Sequence, residues 1–146
     1  MNDSVATSTV VVENEVHADL SVNGEHSIFV SNSTTTTTSG TRLVVRAYQH
    51  MFNPFRIVQI SFGIPLGTSA GTYRLGDPSN GIVAQLLPPN TAPLDSYNAI
   101  QGSITFVNAP TLEYVHGTFH FKARKFNEEE TAIAEVTRGT LAIGSK

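Results

Sequence analysis

Residues 67–71 read Gly67-Thr68-Ser69-Ala70-Gly71, the G-x-S-x-G spacing of a serine-hydrolase nucleophile elbow. That chemistry needs a strand ending at the first glycine and a helix beginning after the second, so that the serine hydroxyl stands on a tight turn above a parallel sheet. Here Gly71 leads into Thr72-Tyr73-Arg74-Leu75, a strand-like run, and no βαβ pattern occurs in the chain. Neither flank fits an elbow, and Ser69 is not read as a nucleophile.

Among the five histidines, His116 and His120 form the most suggestive pair, because four residues apart on one strand they share a face. Their backbones are then separated by ~13 Å, whereas a metal bound at about 2 Å requires adjacent side chains. A shared metal would need a sharp bulge, or help from His17, His26 or His50 on other strands. The reading adopted is of solvent-facing strand histidines beside Tyr114 and Lys122, with no metal and no cofactor.

Paired carboxylates for acid–base work come from distant strands and leave no local motif. The acids here, Asp77, Asp95 and Glu128 to Glu130, fall in turn-like segments where charge serves solvation. No Gly-rich phosphate loop precedes a helix, and no D-x-D calcium loop is present. The aromatics Phe52, Phe55, Phe62, Tyr73, Tyr97, Phe106, Tyr114, Phe119 and Phe121 either fill a core or line the cavity of a small barrel. No catalytic, cofactor-binding or metal residue is assigned.

The elements that must position these groups read as strands. Val16, Ala18, Leu20 and Val22 alternate up to Asn23-Gly24, a hairpin dipeptide that tolerates positive φ, and Ile28 and Val30 resume the pattern. Residues 31–41, with five consecutive threonines at 34–38, offer nothing to bury and read as a loop. Leu43, Val44, Val45 and Tyr48 begin another strand, Asn53-Pro54 marks a bend, and Tyr48 to Phe55 is the one candidate helix, short and broken by Pro54.

Val58, Ile60, Phe62 and Ile64 alternate most clearly. Short strands follow over 72–75 and 82–87, parted by the turn Gly76-Asp77-Pro78-Ser79-Asn80-Gly81. Ile100, Gly102, Ile104 and Phe106 are assigned to one face, then Val115, Gly117, Phe119 and Phe121, then 132–136 leading into Leu141 and Ile143. The spacing predicts an all-β domain, an antiparallel sandwich or barrel of eight to ten strands over 16–146, preceded by an N-terminal arm or edge strand at 1–15. Val58, Ile60, Phe62, Ile104, Phe106, Phe119 and Phe121 are the expected core.

Composition narrows the function. At 146 residues the chain suits one domain able to hold a core without staples. A net charge of −3 gives no basic surface for nucleic acid, and the cluster Lys122, Arg124, Lys125 is followed at once by Glu128-Glu129-Glu130. The absence of cysteine removes disulfides and thiol chemistry. No run approaches the roughly 20 apolar residues of a membrane-spanning helix. The start, MNDSVATSTVVVENE, carries no signal peptide, and a secreted or cell-surface location would require a leader already removed.

The order of VHADLSVNGE, ISFGIPLGTSAGTYRL, YNAIQGSITFVNA, GTFHFKA and VTRGTLAI resembles a family of small uncharacterised bacterial β-domains, many of them secreted lipoproteins of barrel or lipocalin-like shape. The resemblance covers residues 16–143 and implies the fold but no activity, so no functional residue is carried over; it also implies that residues 67–71 are the loop before the Gly71-Thr72-Tyr73 strand, with Gly67 and Gly71 relaxing the backbone and Thr68 and Ser69 capping turn amides. This chain departs from the lipoprotein members in having no leader and no lipid-attachment cysteine.

The expectation is therefore a non-enzymatic structural or adhesive domain. Its handle is the arm: Val5, Thr7, Thr9 and Val11 alternate with Ala6, Ser8, Val10 and Val12, without charge between Asp3 and Glu13. Residues Val5 to Val12 are expected to close an edge of their own sheet or to pair with another copy and give a homo-oligomer, with Glu13-Asn14-Glu15 as the hinge. The alternatives are a barrel that binds a small apolar ligand and, last, a hydrolase using Ser69.

Overall fold

The computed structural model describes residues 14–89, 96–125 and 133–144. All regular structure among them is antiparallel strand, ten strands in one curled sheet: β1 (Glu15–Val22), β2 (Glu25–Val30), β3 (Ser33–Ser39), β4 (Arg42–Met51), β5 (Arg56–Pro65), β6 (Gly71–Leu75), β7 (Val83–Leu87), β8 (Tyr97–Phe106), β9 (Val115–Lys125) and β10 (Ile133–Ile143). The strand order is β2-β1-β10-β9-β8-β7-β5-β4-β3, with β6 pairing β8 beside β7, and the whole curls into a half-barrel. The predicted all-β fold and strand number are thus observed, in the barrel-like form.

Consecutive strands form the sheet's two margins. Among the described residues β2 pairs only with β1, and β3 only with β4. The two residues between them span the seam, since Ser31 donates its N–H to Val16 O at 2.9 Å and Asn32 donates to Tyr48 O at 2.9 Å. Ser31 Oγ in turn accepts the Val16 N–H at 2.8 Å. One continuous length of chain therefore starts bound to one end of the sheet and finishes bound to the other, and the two margins do not pair with each other.

Alternation places the core inside the curl. Val58, Ile60, Phe62, Ile104, Phe106, Phe119 and Phe121 are all buried, as expected, together with Phe29, Leu43, Val45, Leu75, Leu86 and Tyr97. Phe62 and Phe119 meet edge to face with centroids 4.9 Å apart, the geometry favoured by ring quadrupoles. The β1–β2 hairpin turns on Asn23 (φ 51°) and Gly24 (φ 88°), the two positive values a tight type I′ turn demands.

Four expectations are corrected. Residues 33–39 form strand β3, not a loop; threonine is β-branched, and at a sheet margin little burial is needed to hold it. Tyr48 to Phe55 is the end of β4 followed by a turn, not a helix. On β2 the inward residue is Phe29, whereas Ile28 is 61% exposed, because Phe29 stands opposite the buried Ala18 in the register. Ile100 is 41% exposed, since the β8–β9 register slips by one residue between Lys122 and Ala123 and turns it outward.

A second bulge, at Thr137–Arg138, separates the inward residues Val136 and Gly139 on β10. Arg138 takes φ 52° there and its Nε lies 2.9 Å from Asp19 Oδ2 on β1.

Candidate functional site

Ser69 lies exposed in the β5–β6 connection. Its Oγ is 3.1 Å from the Tyr73 hydroxyl, which also donates to Ser69 O at 2.9 Å. Thr68 does not cap an amide as expected; its hydroxyl donates to Pro65 O at 2.6 Å. The chain passes from this loop into strand β6, so Ser69 has neither a histidine partner nor a helix N-terminus behind it.

His116 and His120 share the outer face of β9 but have separate partners. His116 Nε2 is 2.8 Å from Gly144 O, and its ring stacks on Tyr114 with centroids 4.1 Å apart. His120 Nε2 is 3.1 Å from Ser103 Oγ. His17 is exposed on β1, His26 is exposed on β2, and His50 holds Asn32 Oδ1 at 3.0 Å. Among the described residues no group of three or more His, Asp or Glu comes together in a way that would hold a metal.

Of the acids, Asp77 accepts the Ser79 N–H at 3.0 Å and the Ser79 hydroxyl at 2.8 Å. These bonds, with a smaller contribution from Arg74, hold its carboxyl below the usual 3.8 against a slight opposing effect of burial. This is turn chemistry, as the spacing predicts. Asp95, Glu128 to Glu130 and the arm segment Val5 to Val12 lie outside the described residues.

Two other features were not anticipated. The first is the margin of β3, seven residues reading STTTTTS with no charge and no proline, whose backbone pairs with β4 alone among the described residues. Thr34, Thr36 and Thr38 stand opposite Ala47, Val45 and Leu43, which face the core, so Thr35 and Thr37 lie on the outer face. At the foot of β1, Asn14 Oδ1 accepts the Gly144 N–H at 2.8 Å and pins the point from which residues 1–13 depart.

The second is a cleft of about 600 Å³ at the end of the half-barrel that carries the β1–β2 hairpin. Leu20 and Val22 of β1, Glu25, His26 and Ser27 of β2, Gln49 and Met51 of β4, Arg56 and Val58 of β5, and Leu86, Pro88 and Pro89 line it. Arg56 Nη2 lies 3.7 Å from Met51 Sδ. Phe52 and Phe55, 67% and 57% exposed with centroids 5.5 Å apart, project from the turn just before Arg56. No local motif announces this site, since its residues come from five strands.

No helix among the described residues is long and apolar enough to cross a membrane. Neither the curated proteins nor the solved structures include a match to this chain. A domain of unknown function, DUF6252, matches residues 17–143, nearly the span of the sheet, and the chain belongs to that family.

Proposed function

We propose that this domain is a non-enzymatic interaction module, structural or adhesive in role, which associates with further copies of itself by strand addition. The added strand is Val5 to Val12 of one copy and the receiving edge is β3 of another. The observation that carries this reading is the β3 margin, which has no strand beyond it among the described residues. Sheet edges left open in soluble proteins are ordinarily blunted by lysine, proline or a bulge, and β3 has none of these along its seven residues. An uncharged, β-prone segment of matching length supplies the complement, because main-chain pairing needs extended backbone and tolerates almost any uncharged side chain. Head-to-tail exchange would build a filament, and closed exchange a dimer or ring.

Deletion of residues 1–12 tests it. Light scattering is expected to show association of the full chain that is lost on deletion. Association that survives the deletion, or a full chain that stays monomeric at high concentration with the arm closing its own edge, removes the reading.

A second reading, a carrier of a small apolar ligand, is favoured by one observation: the cleft beside β2 is lined by apolar side chains together with the polar Glu25, His26, Ser27, Gln49 and Arg56, a mixture that ligand sites use.

A further inference from the structure

We infer that the cleft takes an amphiphilic carboxylate, with the acyl chain against Val22, Met51 and Pro88 and the carboxylate on Arg56. The inference rests on the carrier reading and adds the chemical class of the ligand. The walls supply the first half of the argument. Val22, Met51 and Pro88 are only partly buried and give the cleft apolar surface beside the polar Glu25, His26, Ser27 and Gln49, so a hydrocarbon chain that enters has apolar side chains to lie against. The volume, about 600 Å³, falls within the roughly 300–1,000 Å³ common to small-molecule sites.

The second half is the charge. Arg56 is the one Lys or Arg in the lining among the described residues, it is half-buried, and its guanidinium lies 3.7 Å from the Met51 thioether, a weak acceptor. Glu25, the one carboxylate in the lining among the described residues, stands on the β2 margin, and no ion pair joins it to Arg56 there. A guanidinium that no carboxylate among the described residues neutralises favours an incoming anion, and its planar fork matches a carboxylate with two parallel hydrogen bonds. A neutral alcohol of the same chain length gains the walls but not the fork. Short acids gain the fork but not the walls.

Calorimetric titration of the full chain with laurate, dodecanol and acetate decides the matter, together with Arg56→Gln and Arg56→Lys. The expected result is that laurate binds about tenfold or more tightly than dodecanol, one charge-assisted pair being worth at least that factor. Acetate shows no binding. Arg56→Gln lowers laurate to the level of dodecanol while leaving dodecanol unchanged, which also reports an intact cleft, and Arg56→Lys recovers part of the loss. Equal binding of laurate and dodecanol, indifferent to Arg56→Gln, overturns the carboxylate class and leaves the carrier reading standing. Failure of both long-chain probes overturns the class and the carrier reading together.

Discussion

Phe119 on β9 stands directly opposite Gly139 on β10, and its ring occupies the space in which a Cβ on residue 139 would lie. The contact is set by the bulge at Thr137–Arg138, which resets the inward alternation of β10 so that position 139 points into the curl. Covering a glycine with a cross-strand ring also keeps the exposed backbone there from water.

Gly139→Ala is therefore expected to lower stability by about 1–3 kcal/mol through overpacking, and Phe119→Ala by ~3–5 kcal/mol through the cavity it leaves. The two substitutions share one space, so the double variant should be clearly less unstable than the sum of the two. Chemical denaturation of the three variants checks this.

Asn23 ties three strands at the hairpin end. It takes φ 51° in the turn, its Nδ2 donates to the Tyr97 hydroxyl at 3.3 Å, and its Oδ1 accepts the Ile133 N–H at 3.3 Å. Asn23→Val removes both bonds and places a β-branched residue at positive φ, a conformation it strongly disfavours. A loss of about 2–3 kcal/mol is expected, from two hydrogen bonds at ~1 kcal/mol each and the backbone strain. The midpoint of thermal unfolding reports it.

Ser69→Ala is expected to leave stability within about 0.5 kcal/mol of the native chain, since the residue is exposed and its hydroxyl serves only the Tyr73 contact. On the non-enzymatic reading, hydrolysis of a p-nitrophenyl ester is no faster with native protein than with the variant. Ester cleavage lost in Ser69→Ala would reopen the hydrolase.

The Ser79 bonds to Asp77 set a pH response in the β6–β7 turn. A carboxyl whose pKa is lowered in the folded chain contributes stability that is full above the unfolded value and fades as pH falls through the lower folded one. The Asp77 bonds should thus hold at neutral pH and weaken only below 3.8. Carbon-detected NMR titration of the Asp77 carboxyl, with a midpoint below that of an unbonded aspartate, is the check.

How far the sequence revealed this molecule depended on how each strand is flanked. Val58, Ile60, Phe62 and Ile64 sit on β5, which pairs on both sides and buries one full face, so their alternation is clear. β3 has a partner on one side and almost nothing to bury, and its threonines carry β propensity without a hydrophobic period. Ile100 was misplaced because a one-residue register slip reverses every face beyond it. The same effect was visible in principle on β10, where Val136 and Leu141 differ in parity yet both are buried. The cleft was invisible because Arg56 is an ordinary arginine until the curl of the sheet sets it beside Leu20 and Leu86.

The central claim, strand addition at the β3 margin, is tested most directly on the receiving edge. Thr35→Lys with Thr37→Lys places two charges on the outer face of β3 without touching the core-facing Thr34, Thr36 and Thr38. Light scattering across a concentration series is predicted to show association of the native chain and a monomer for the double-lysine variant, with the far-ultraviolet β spectrum unchanged. Association of the lysine variant equal to that of the native chain would contradict the account.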